Sequence, residues 1–328
     1  MAGSRLGFDI GSNSMKISIL QGDKIRMEQI RMPENLVDEN SNIVLPNAFI
    51  HFLKQTRKKL ALPRGKAVLV LPPGQVICRF LTMPKMTAEQ LILNLPYEFA
   101  DFIQGVPDQY YCDYAVCDPD ETDGGTPGIP IMAAVAEKRK LSEYIRIFSR
   151  AGIPLKVLIP QEMALIRLVQ EQKQPGDEFC FVDLGHLHTR ITVVRRDRIQ
   201  ATRQIGLGGR NLDLAVAEEL GVDAFLANSY KTSDFQGALS IPAFGDICEQ
   251  IAVEILKVIN FYQFTYRSSH LEGIYLAGGG ASVSPLRQAI ERTVGMELLD
   301  PAELFPEALG DAASGIFAAG AVMGGKVI

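Results

Sequence analysis

The sequence FDIGSNSMKISILQGDKI, from Phe8 to Ile25, returns in altered form as VDLGHLHTRITVVRRDRI, from Val182 to Ile199. The two stretches align without a gap, and each begins with an Asp-x-Gly turn, at Asp9 in the first copy and Asp183 in the second. Hydrophobic alternation alone recurs widely, but a shared turn at the same place indicates an internal duplication. We therefore expect two domains of related fold.

Each copy predicts a strand, a tight turn, a second strand, a polar turn and a third strand. Ile17 and Ile19 alternate with polar residues in the first copy, and Ile191 and Val193 do so in the second. A period of two is typical of a strand with one buried face. The hairpins are therefore the best-defined elements of the sequence.

Composition narrows the class of protein. A length of 328 residues suggests about two domains. With 47% hydrophobic residues the chain can bury a core, and its net charge of −5 argues against a generic nucleic-acid binder. No apolar run approaches the roughly 20 residues of a membrane span, and the start MAGSRLGFDIG has no signal-peptide core. The five cysteines have neither zinc-site nor disulfide-framework spacing. We expect a cytoplasmic globular protein.

Strand and helix patterns alternate outside the hairpins, which predicts an α/β fold with sheets covered on both faces. We predict helices at 46–60, 138–150, 160–172, from 241 onward, 285–293 and 311–323, and strands at 66–71, 75–81, 110–116, 131–136 and 274–277.

The segment from Thr82 to Ile159 resembles nothing in the second half, and we interpret it as an inserted α+β subdomain. Thr87 and Gln90 form a capping-box pattern for its first helix. Pro96 should break or kink that helix and leave Tyr97 to Ile103 as a second short piece, and residues 118–130 should form an exposed acidic loop.

The first Asp-x-Gly turn has the composition of a phosphate site. Successive backbone N–H groups at Gly11, Ser12, Asn13 and Ser14 can form a concave nest for phosphate oxygens, and Lys16 would add a cation beside them. Asp9, which repels phosphate, would instead hold a hydrated Mg²⁺, as Asp183 would in the second copy. Two such turns facing across a cleft would hold a metal–nucleotide from both sides.

Two further glycine turns fit the same cleft. Gly278, Gly279 and Gly280 follow a strand and precede Ser282, so that a flat ligand can approach the backbone closely. Gly206-Leu207-Gly208-Gly209 leads into a helix that starts near Asn211.

Two common nucleotide motifs are absent from the sequence. No Gly-x-x-x-x-Gly-Lys-Ser/Thr run exists, which excludes a P-loop protein. The place of the third glycine of a dinucleotide-binding turn is taken by Val283.

The segments FDIGSNS, FVDLGHLHT and YLAGGGAS resemble the two phosphate motifs and the adenosine motif of the actin-like ATPase superfamily. Within it, the whole chain is similar to the PilM family, the actin-like proteins of type IV pilus assembly. LTMPKMTAEQLILNLPYEFADFI, SRAGIPLKVLIPQEMALIRLV, RQIGLGGRNLD, ICEQIAVEILKVINFYQ and IYLAGGGASVSPLRQAI follow in the expected order.

The resemblance implies an actin-like fold of two duplicated RNase H-like domains with a small inserted subdomain. We expect a first domain (1A) at 1–81, the insertion (1C) at 82–159, a return to 1A at 160–178, and a second domain at 179–328. Within the second domain we expect subdomain 2B at about 206–270 and a final helix at about 311–323 that packs back on 1A.

The same resemblance implies ATP or ADP with Mg²⁺ between the two domains. The implied nucleotide-binding residues are Gly11, Ser12, Asn13, Ser14, Lys16, Gly185, Thr189, Gly208, Gly209, Asn228, Lys231, Gly278, Gly279, Gly280 and Ser282, with Asp9 and Asp183 holding the metal through water.

The resemblance also implies a partner, the short cytoplasmic N-terminal peptide of a PilN-type inner-membrane protein, which would recruit the chain to the inner face of the membrane. Tyr97, Phe99, Phe102 and Ile103 of the insertion are the candidate contacts, although core packing is the better default interpretation of each.

Departures from the family pattern bear on catalysis. His186 and His188 stand where small residues are usual, and we interpret them as turn residues without catalytic duty. Asn228 stands where Glu is common and can still accept a ribose hydroxyl. We identify no general base, and therefore expect nucleotide binding with slow or negligible hydrolysis.

Three alternatives are considered. An ATP-dependent small-molecule kinase shares the same clamp. A nucleotide-free platform like the cytoplasmic half of the type II secretion protein GspL lacks support, because the glycine turns are intact. An FtsA-like cell-division protein would need an amphipathic helix that the ending AAGAVMGGKVI does not provide, so direct membrane insertion is not expected.

Overall fold

The computed structural model describes residues 3–117, 128–171, 178–267, 269–305, 308–311 and 313–323. Its strands are β1 (Ser4–Ile10), β2 (Ser14–Gln21), β3 (Lys24–Arg31), β4 (Gly65–Leu71), β5 (Ile77–Met83), β6 (Tyr110–Val116), β7 (Ile129–Glu137), β8 (Leu155–Pro160), β9 (Phe179–Leu184), β10 (Thr189–Arg195), β11 (Arg198–Ile205), β12 (Gly273–Ala277), β13 (Glu297–Leu299) and β14 (Ala308–Leu309). Its helices are α1 (Pro46–Lys59), α2 (Ala88–Glu98), α3 (Lys138–Arg150), α4 (Gln161–Gln170), α5 (Gly209–Leu220), α6 (Ala224–Ser233), α7 (Pro242–Thr265), α8 (Ser284–Val294) and α9 (Ile316–Val322).

The two hairpin repeats form the centres of two related sheets. The first has the strand order β14-β3-β2-β1-β4-β8, and the second has the order β11-β10-β9-β12-β13. Asp9 pairs with Lys16 across the first hairpin, and Asp183 pairs with Arg190 across the second. The first strand of each hairpin also has a parallel neighbour, β4 for β1 and β12 for β9. This equivalence of register confirms the duplicated, actin-like fold.

The core explains why the first strand of each repeat is apolar on both faces. In β1 every residue from Leu6 to Ile10 is buried. On one face Phe8 meets Phe148 of α3 edge-on, with ring centroids 5.3 Å apart. On the other face Ser18 of β2 donates a hydrogen bond to the carbonyl of Ala318 in α9. Helices therefore cover the sheet on both sides, as the sequence pattern predicts.

The inserted subdomain is a separate three-stranded antiparallel sheet with the order β5-β7-β6. Helix α2 covers it, and Leu91, Leu95 and Phe99 are buried against Ile131 in a core of its own. This core is what lets the segment stand apart from the duplicated domains.

Strand pairing corrects the limits that we expected for the insertion, 82–159. Strand β8 pairs in parallel with β4 of the first sheet, and α3 packs on α1. Both segments therefore belong to the layers around the first sheet, while the inserted sheet starts earlier, at Ile77, and ends at Glu137. A strand's partner is set by long-range pairing, which the local sequence does not reveal. Most of the expected acidic loop, 118–127, lies outside the described residues.

Helix α2 confirms one local prediction and contradicts another. Thr87 and Gln90 form both bonds of the capping box. Pro96 does not break the helix, which continues to Glu98, so the expected second helix at 97–103 does not form. A proline this close to the end removes one hydrogen bond without preventing the last turn.

Helix α9 is shorter than the expected helix at 311–323, because the preceding residues form a turn. The backbone N–H of Ser314 donates to Oδ1 of Asp311 at 3.2 Å, and the helix begins at Ile316. It packs on β1, β2 and β4 and also on α4. No helix in the described part of the chain is both long and apolar enough to cross a bilayer.

Candidate functional site

A cleft with a volume of about 1140 Å³ opens where the two hairpin turns meet. It is lined by residues of both sheets, of α6 and of the glycine turn after β12. Among the residues expected to bind nucleotide or metal, those that line it are Asp9, Gly11, Ser12, Asn13, Ser14, Lys16, Asp183, Gly185, Gly209, Asn228, Lys231, Gly279, Gly280 and Ser282. Residues from distant parts of the sequence therefore share one cavity.

The first turn has the geometry of a nest with a cation beside it. The backbone N–H of Gly11 donates to the carbonyl of Ser14 at 3.0 Å, which closes the turn. A Cβ atom at Gly11 would lie 3.2 Å from Nζ of Lys16, so the lysine ammonium lies directly against the turn. Gln29 donates to the hydroxyl of Ser14 at 3.0 Å and fixes its orientation. The turn thus presents N–H groups and one positive charge to the cleft.

The second turn repeats this backbone arrangement. The N–H of Gly185 donates to the carbonyl of His188 at 3.1 Å, and the N–H of Gly209 donates to the carbonyl of Gly185 at 2.9 Å. The start of α5 is therefore attached directly to the turn. His186 lines the cleft, and its burial lowers its pKa, which outweighs the opposing effect of Asp213. A neutral imidazole thus stands where a small residue would leave more room.

Asp9 and Asp183 lie close enough to affect each other's ionisation. Burial raises the pKa of Asp9, while Lys16 and a hydrogen bond from Gln161 oppose the shift. Burial also raises the pKa of Asp183 to about 6, and repulsion from Asp9 adds to this while Lys16 and Arg190 oppose it. Lys16 opposes the rise in the pKa of both carboxyl groups, so it lies near both turns. Two partly desolvated carboxylates that repel each other favour a bound cation.

Two polar residues of this centre were missed by the sequence interpretation. Gln161, at the start of α4, lines the cleft beside Asp9, and its Oε1 accepts a hydrogen bond from Arg190 at 3.3 Å. Arg190 also donates to Gln204 at 2.9 Å. The alignment of Arg190 with Lys16 in the repeat was the available signal for Arg190. For Gln161 the sequence offered no signal, because only tertiary packing brings α4 to the carboxylates.

Lys231 and Asn228 are held by a third residue that was also missed, Asp213. Nζ of Lys231 lies 2.5 Å from Oδ1 of Asp213 and donates to the carbonyl of Gly209 at 3.3 Å. Asn228 donates to both oxygens of Asp213, at 3.0 and 3.2 Å. Asp213 is 1% exposed, and an acidic residue between Leu212 and Ala215 on a buried helix face is itself a sign of a buried ion pair. This cluster joins α6 to the start of α5.

Three expected nucleotide-binding residues support the turns without lining the cleft. A Cβ atom at Gly278, where φ is +80°, would strike Oδ1 of Asp183, so this glycine makes room for the carboxylate. Gly208 packs against the backbone of Gly185 and His186. Thr189 is fully buried, and its hydroxyl has no hydrogen-bond partner among the described residues. Gly279, by contrast, has open space where a Cβ atom would be, as a surface that receives a flat ligand requires.

The four candidate partner contacts of the insertion divide into exposed and buried residues. Tyr97 is 73% exposed and Phe102 is 49% exposed, and Arg79 lies over the ring of Phe102 at 4.9 Å. Ile103 is partly buried against the core of the insertion. Phe99 is fully buried, which corrects its assignment as a contact, since its ring fills the core beneath α2.

No group of three or more His, Cys, Asp or Glu side chains with metal-binding geometry occurs among the described residues. A metal at Asp9 and Asp183 would therefore need other ligands, such as water and the oxygens of a bound phosphate. This fits hydrated Mg²⁺, which keeps several waters and is usually bound by one or two carboxylates.

Comparison with known structures supports the fold. The chain is similar to a solved PilM–PilN type IV pilus biogenesis complex, with a TM-score of 0.77, 20% identity and coverage of 96% of each chain. It is also similar to the ethanolamine utilization protein EutJ from Carboxydothermus hydrogenoformans, with a TM-score of 0.60, 15% identity and coverage of 98% of this chain and 90% of that one. A third likeness is to the activator of 2-hydroxyisocaproyl-CoA dehydratase from Clostridium difficile with bound ADPNP, with a TM-score of 0.50, 14% identity and coverage of 97% and 92%.

Sequence comparison assigns the family. The model of the type IV pilus assembly protein PilM matches residues 7–306, which is most of the chain. The protein therefore belongs to the PilM family of type IV pilus assembly proteins.

Proposed function

We propose that this protein is a nucleotide-binding, actin-like scaffold of type IV pilus assembly that docks the cytoplasmic N-terminal peptide of a PilN-type membrane protein. One observation carries the nucleotide part of the proposal: both Asp-x-Gly turns and Lys16 line a single cleft. Membership of the PilM family supports the scaffold part.

The nucleotide would lie between the turns, with its phosphates against the two Asp-x-Gly turns and its base near Gly279. Mg²⁺, held through water by Asp9 and Asp183, would supply positive charge to the phosphates. Lys16 adds a fixed cation from the protein itself. Asn228 and Lys231 act mainly by fixing α6 against the start of α5, since Asp213 engages both side chains.

Hydrolysis would be slow or negligible. A fast hydrolase needs a base aimed at a positioned water in addition to clamps on the phosphates. The cleft carboxylates are already engaged: Asp9 and Asp183 face Lys16, and Glu39 lies 2.6 Å from Arg210. A scaffold function requires only that the nucleotide stay bound.

Mass spectrometry of the small molecules released from the purified, folded protein tests nucleotide binding directly. We expect ATP or ADP at close to one per chain. Titration calorimetry with Mg-ATP should then show a clear loss of affinity in Asp9→Ala, while Asp246→Ala, an exposed acidic change on α7, should bind normally. Absence of nucleotide together with no heat of binding in the unsubstituted protein would reject this part of the proposal.

The docking part concerns the exposed apolar side chains of α2. Leu93 is 71% exposed and Tyr97 is 73% exposed, and apolar side chains exposed together on one helix are a common mark of a binding surface. Such a partner would recruit this protein to the inner face of the membrane while the protein itself remains cytoplasmic.

A pull-down with the N-terminal peptide of a PilN-type protein tests docking. We expect Leu93→Asp and Tyr97→Asp to reduce peptide capture several-fold. Phe264→Asp is the matched control, because Phe264 is 77% exposed but lies on α7. Equal capture by all three variants would show that the peptide binds elsewhere.

A further inference from the structure

A second, smaller pocket lies at the C-terminal ends of α1 and α3, with a volume of about 440 Å³. Four of its lining side chains are cations, three from α1 and one from α3: Lys54, Arg57, Lys58 and Arg150. None of the described residues that line it is acidic. Two helices thus direct positive charge into one cavity.

The positive charge is a property of the surrounding sequence as well as of the pocket. The stretch from Ser41 to Ala88 contains eight Lys or Arg residues and no Asp or Glu, although the whole chain has a net charge of −5. Within the described structure Arg150 contacts the side-chain oxygen of Asn47 at 3.4 Å, and the three cations from α1 form no ion pair. The pocket therefore holds charge that the fold leaves uncompensated.

The position of Arg57 shows that the pocket has a defined wall. The residue is half-buried, and its guanidinium lies against Gly152, where a Cβ atom would be 2.5 Å from Nη1 of Arg57. Gly152 also has a φ of +77°, which favours glycine. Both features keep the arginine packed at the end of α3.

Interaction with helix dipoles does not account for this arrangement. Cations in the last turn of a helix are stabilising, and this explains Arg57 and Lys58 on α1 and Arg150 on α3 taken one at a time. It does not explain why the cations of two helices surround a common cavity, nor why Lys54, a full turn earlier, joins them.

The pocket is remote from the nucleotide cleft. Strand β4 begins at Gly65, shortly after the end of α1, and its other end at Leu71 leads to Gly74, which lines the cleft. Seven strand residues at roughly 3.3 Å each separate the two sites by about 20 Å.

We propose that this basic pocket binds the phosphate groups of a polyanionic ligand, independently of the nucleotide cleft. Arginine and lysine together suit this chemistry, since arginine forms paired hydrogen bonds to phosphate oxygens and lysine supplies a compact charge. The phosphates come either from the headgroups of an anionic phospholipid surface or from a free oligophosphate, and the experiment separates these sources.

Two probes are used with the full-length protein. The first is co-sedimentation with vesicles of phosphatidylglycerol and phosphatidylcholine, compared with vesicles of phosphatidylcholine alone. The second is titration calorimetry with inorganic tripolyphosphate. Binding to the anionic vesicles alone identifies the lipid source, and binding to tripolyphosphate alone identifies the free one.

Arg57→Gln/Arg150→Gln removes two charges from the pocket, and we expect it to weaken binding of the responding probe about tenfold or more. Lys85→Gln/Arg267→Gln is the control, because it removes the same charge from two exposed positions elsewhere, and it should bind almost normally. Lys16→Ala, which alters the nucleotide cleft, should also keep this binding. Thermal melting shows whether a variant is misfolded. If Arg57→Gln/Arg150→Gln is misfolded, Lys54→Gln replaces it, because Lys54 is exposed on α1.

The proposal fails if neither probe binds, if the pocket and control pairs weaken binding equally, or if Lys16→Ala abolishes it. The last result would place tripolyphosphate in the nucleotide cleft. Because nucleotide release and binding at the cleft are measured separately, failure here leaves the proposed function unaffected.

Discussion

At the scale of single residues, the cleft is organised by buried charges that contact one another. Lys16 lies near both Asp9 and Asp183, and Lys231 pairs with Asp213. In the first group burial raises the pKa of both carboxyl groups despite the cations nearby, which favours a bound cation from outside. The second is an ion pair that holds α6 against the start of α5. Removal of a charge should therefore have opposite effects on stability in the two groups.

Asp183→Asn should stabilise the nucleotide-free protein and weaken its binding of Mg-ATP. Burial raises the pKa of Asp183 to about 6, so the ionised form is disfavoured in the folded state. The resulting destabilisation is absent below about pH 4 and complete above about pH 6, and at pH 7 its removal should add about 3 kcal/mol. Urea denaturation at pH 7 measures the gain and calorimetry measures the loss. A variant that is both less stable and unchanged in affinity would contradict this account.

Asp213→Ala should destabilise the protein by about 3 kcal/mol, because it leaves the ammonium of Lys231 buried without a partner. The double variant Asp213→Ala/Lys231→Met should recover much of this loss, since no unpaired charge remains. The free energy of unfolding in urea is the measurement. If the double variant is as unstable as the single one, the hydrogen bonds from Asn228 matter more than the charge.

At the scale of elements, the contact of α9 with the first domain depends on close approach of backbone to backbone. A Cβ atom at Gly7 in β1 would strike the carbonyl of Ala318, and one at Gly320 in α9 would strike the carbonyl of Ala164 in α4. The two glycines belong to two different contacts of α9, one with β1 and one with α4. Helix α9 therefore lies closer to β1 and α4 than side chains of ordinary size would allow.

Gly320→Ala should destabilise the protein by about 2 kcal/mol, because a backbone atom cannot move aside as the end of a flexible side chain can. Gly245→Ala in α7 is the matched control: nothing lies within 4 Å of a Cβ atom there, and alanine should add up to about 1 kcal/mol through helix propensity. Midpoints of thermal unfolding compare the two. Equal effects would mean that α9 moves away from α4 at little cost.

At the scale of the whole molecule, two contacts cross the mouth of the cleft. Arg31 of β3 donates to Ser229 at 3.0 Å and to the carbonyl of Phe225 at 3.1 Å, and its guanidinium lies 3.6 Å from the centre of the Phe225 ring. Glu39 lies 2.6 Å from Arg210. These contacts join the two domains on the side where a ligand would enter.

Arg31→Ala should speed nucleotide release about threefold to tenfold, because the cation–ring contact and two hydrogen bonds must break when the cleft opens. Stopped-flow release of a fluorescent ATP analogue measures the rate. Arg79→Ala is the control, since Arg79 contacts Phe102 within the inserted subdomain only. An unchanged release rate in Arg31→Ala would mean that these contacts do not limit the opening of the cleft.

The repeat of Asp-x-Gly hairpins was sufficient to predict the duplicated fold and the two carboxylates that line the cleft. Such features are readable because strand periodicity and glycine turns are local properties of the sequence. The limits of the insertion could not be predicted from the sequence, because β8 joins the first sheet by pairing with β4, which lies far away in the sequence. Phe99 was misassigned for a related reason: an aromatic residue that faces a core and one that faces a partner look alike in sequence.

Sequence alone determined which residues could meet at a phosphate, through the twin turns and the glycines that flank them. Only the tertiary structure decided which of them line one cleft. It places Gln161 beside Asp9, pairs Lys231 with Asp213, and places the cations of α1 and α3 around a second pocket. The physical reason is that ion pairs and hydrogen bonds act over a few ångströms in space. The separation of two residues along the chain does not determine their distance in the folded protein.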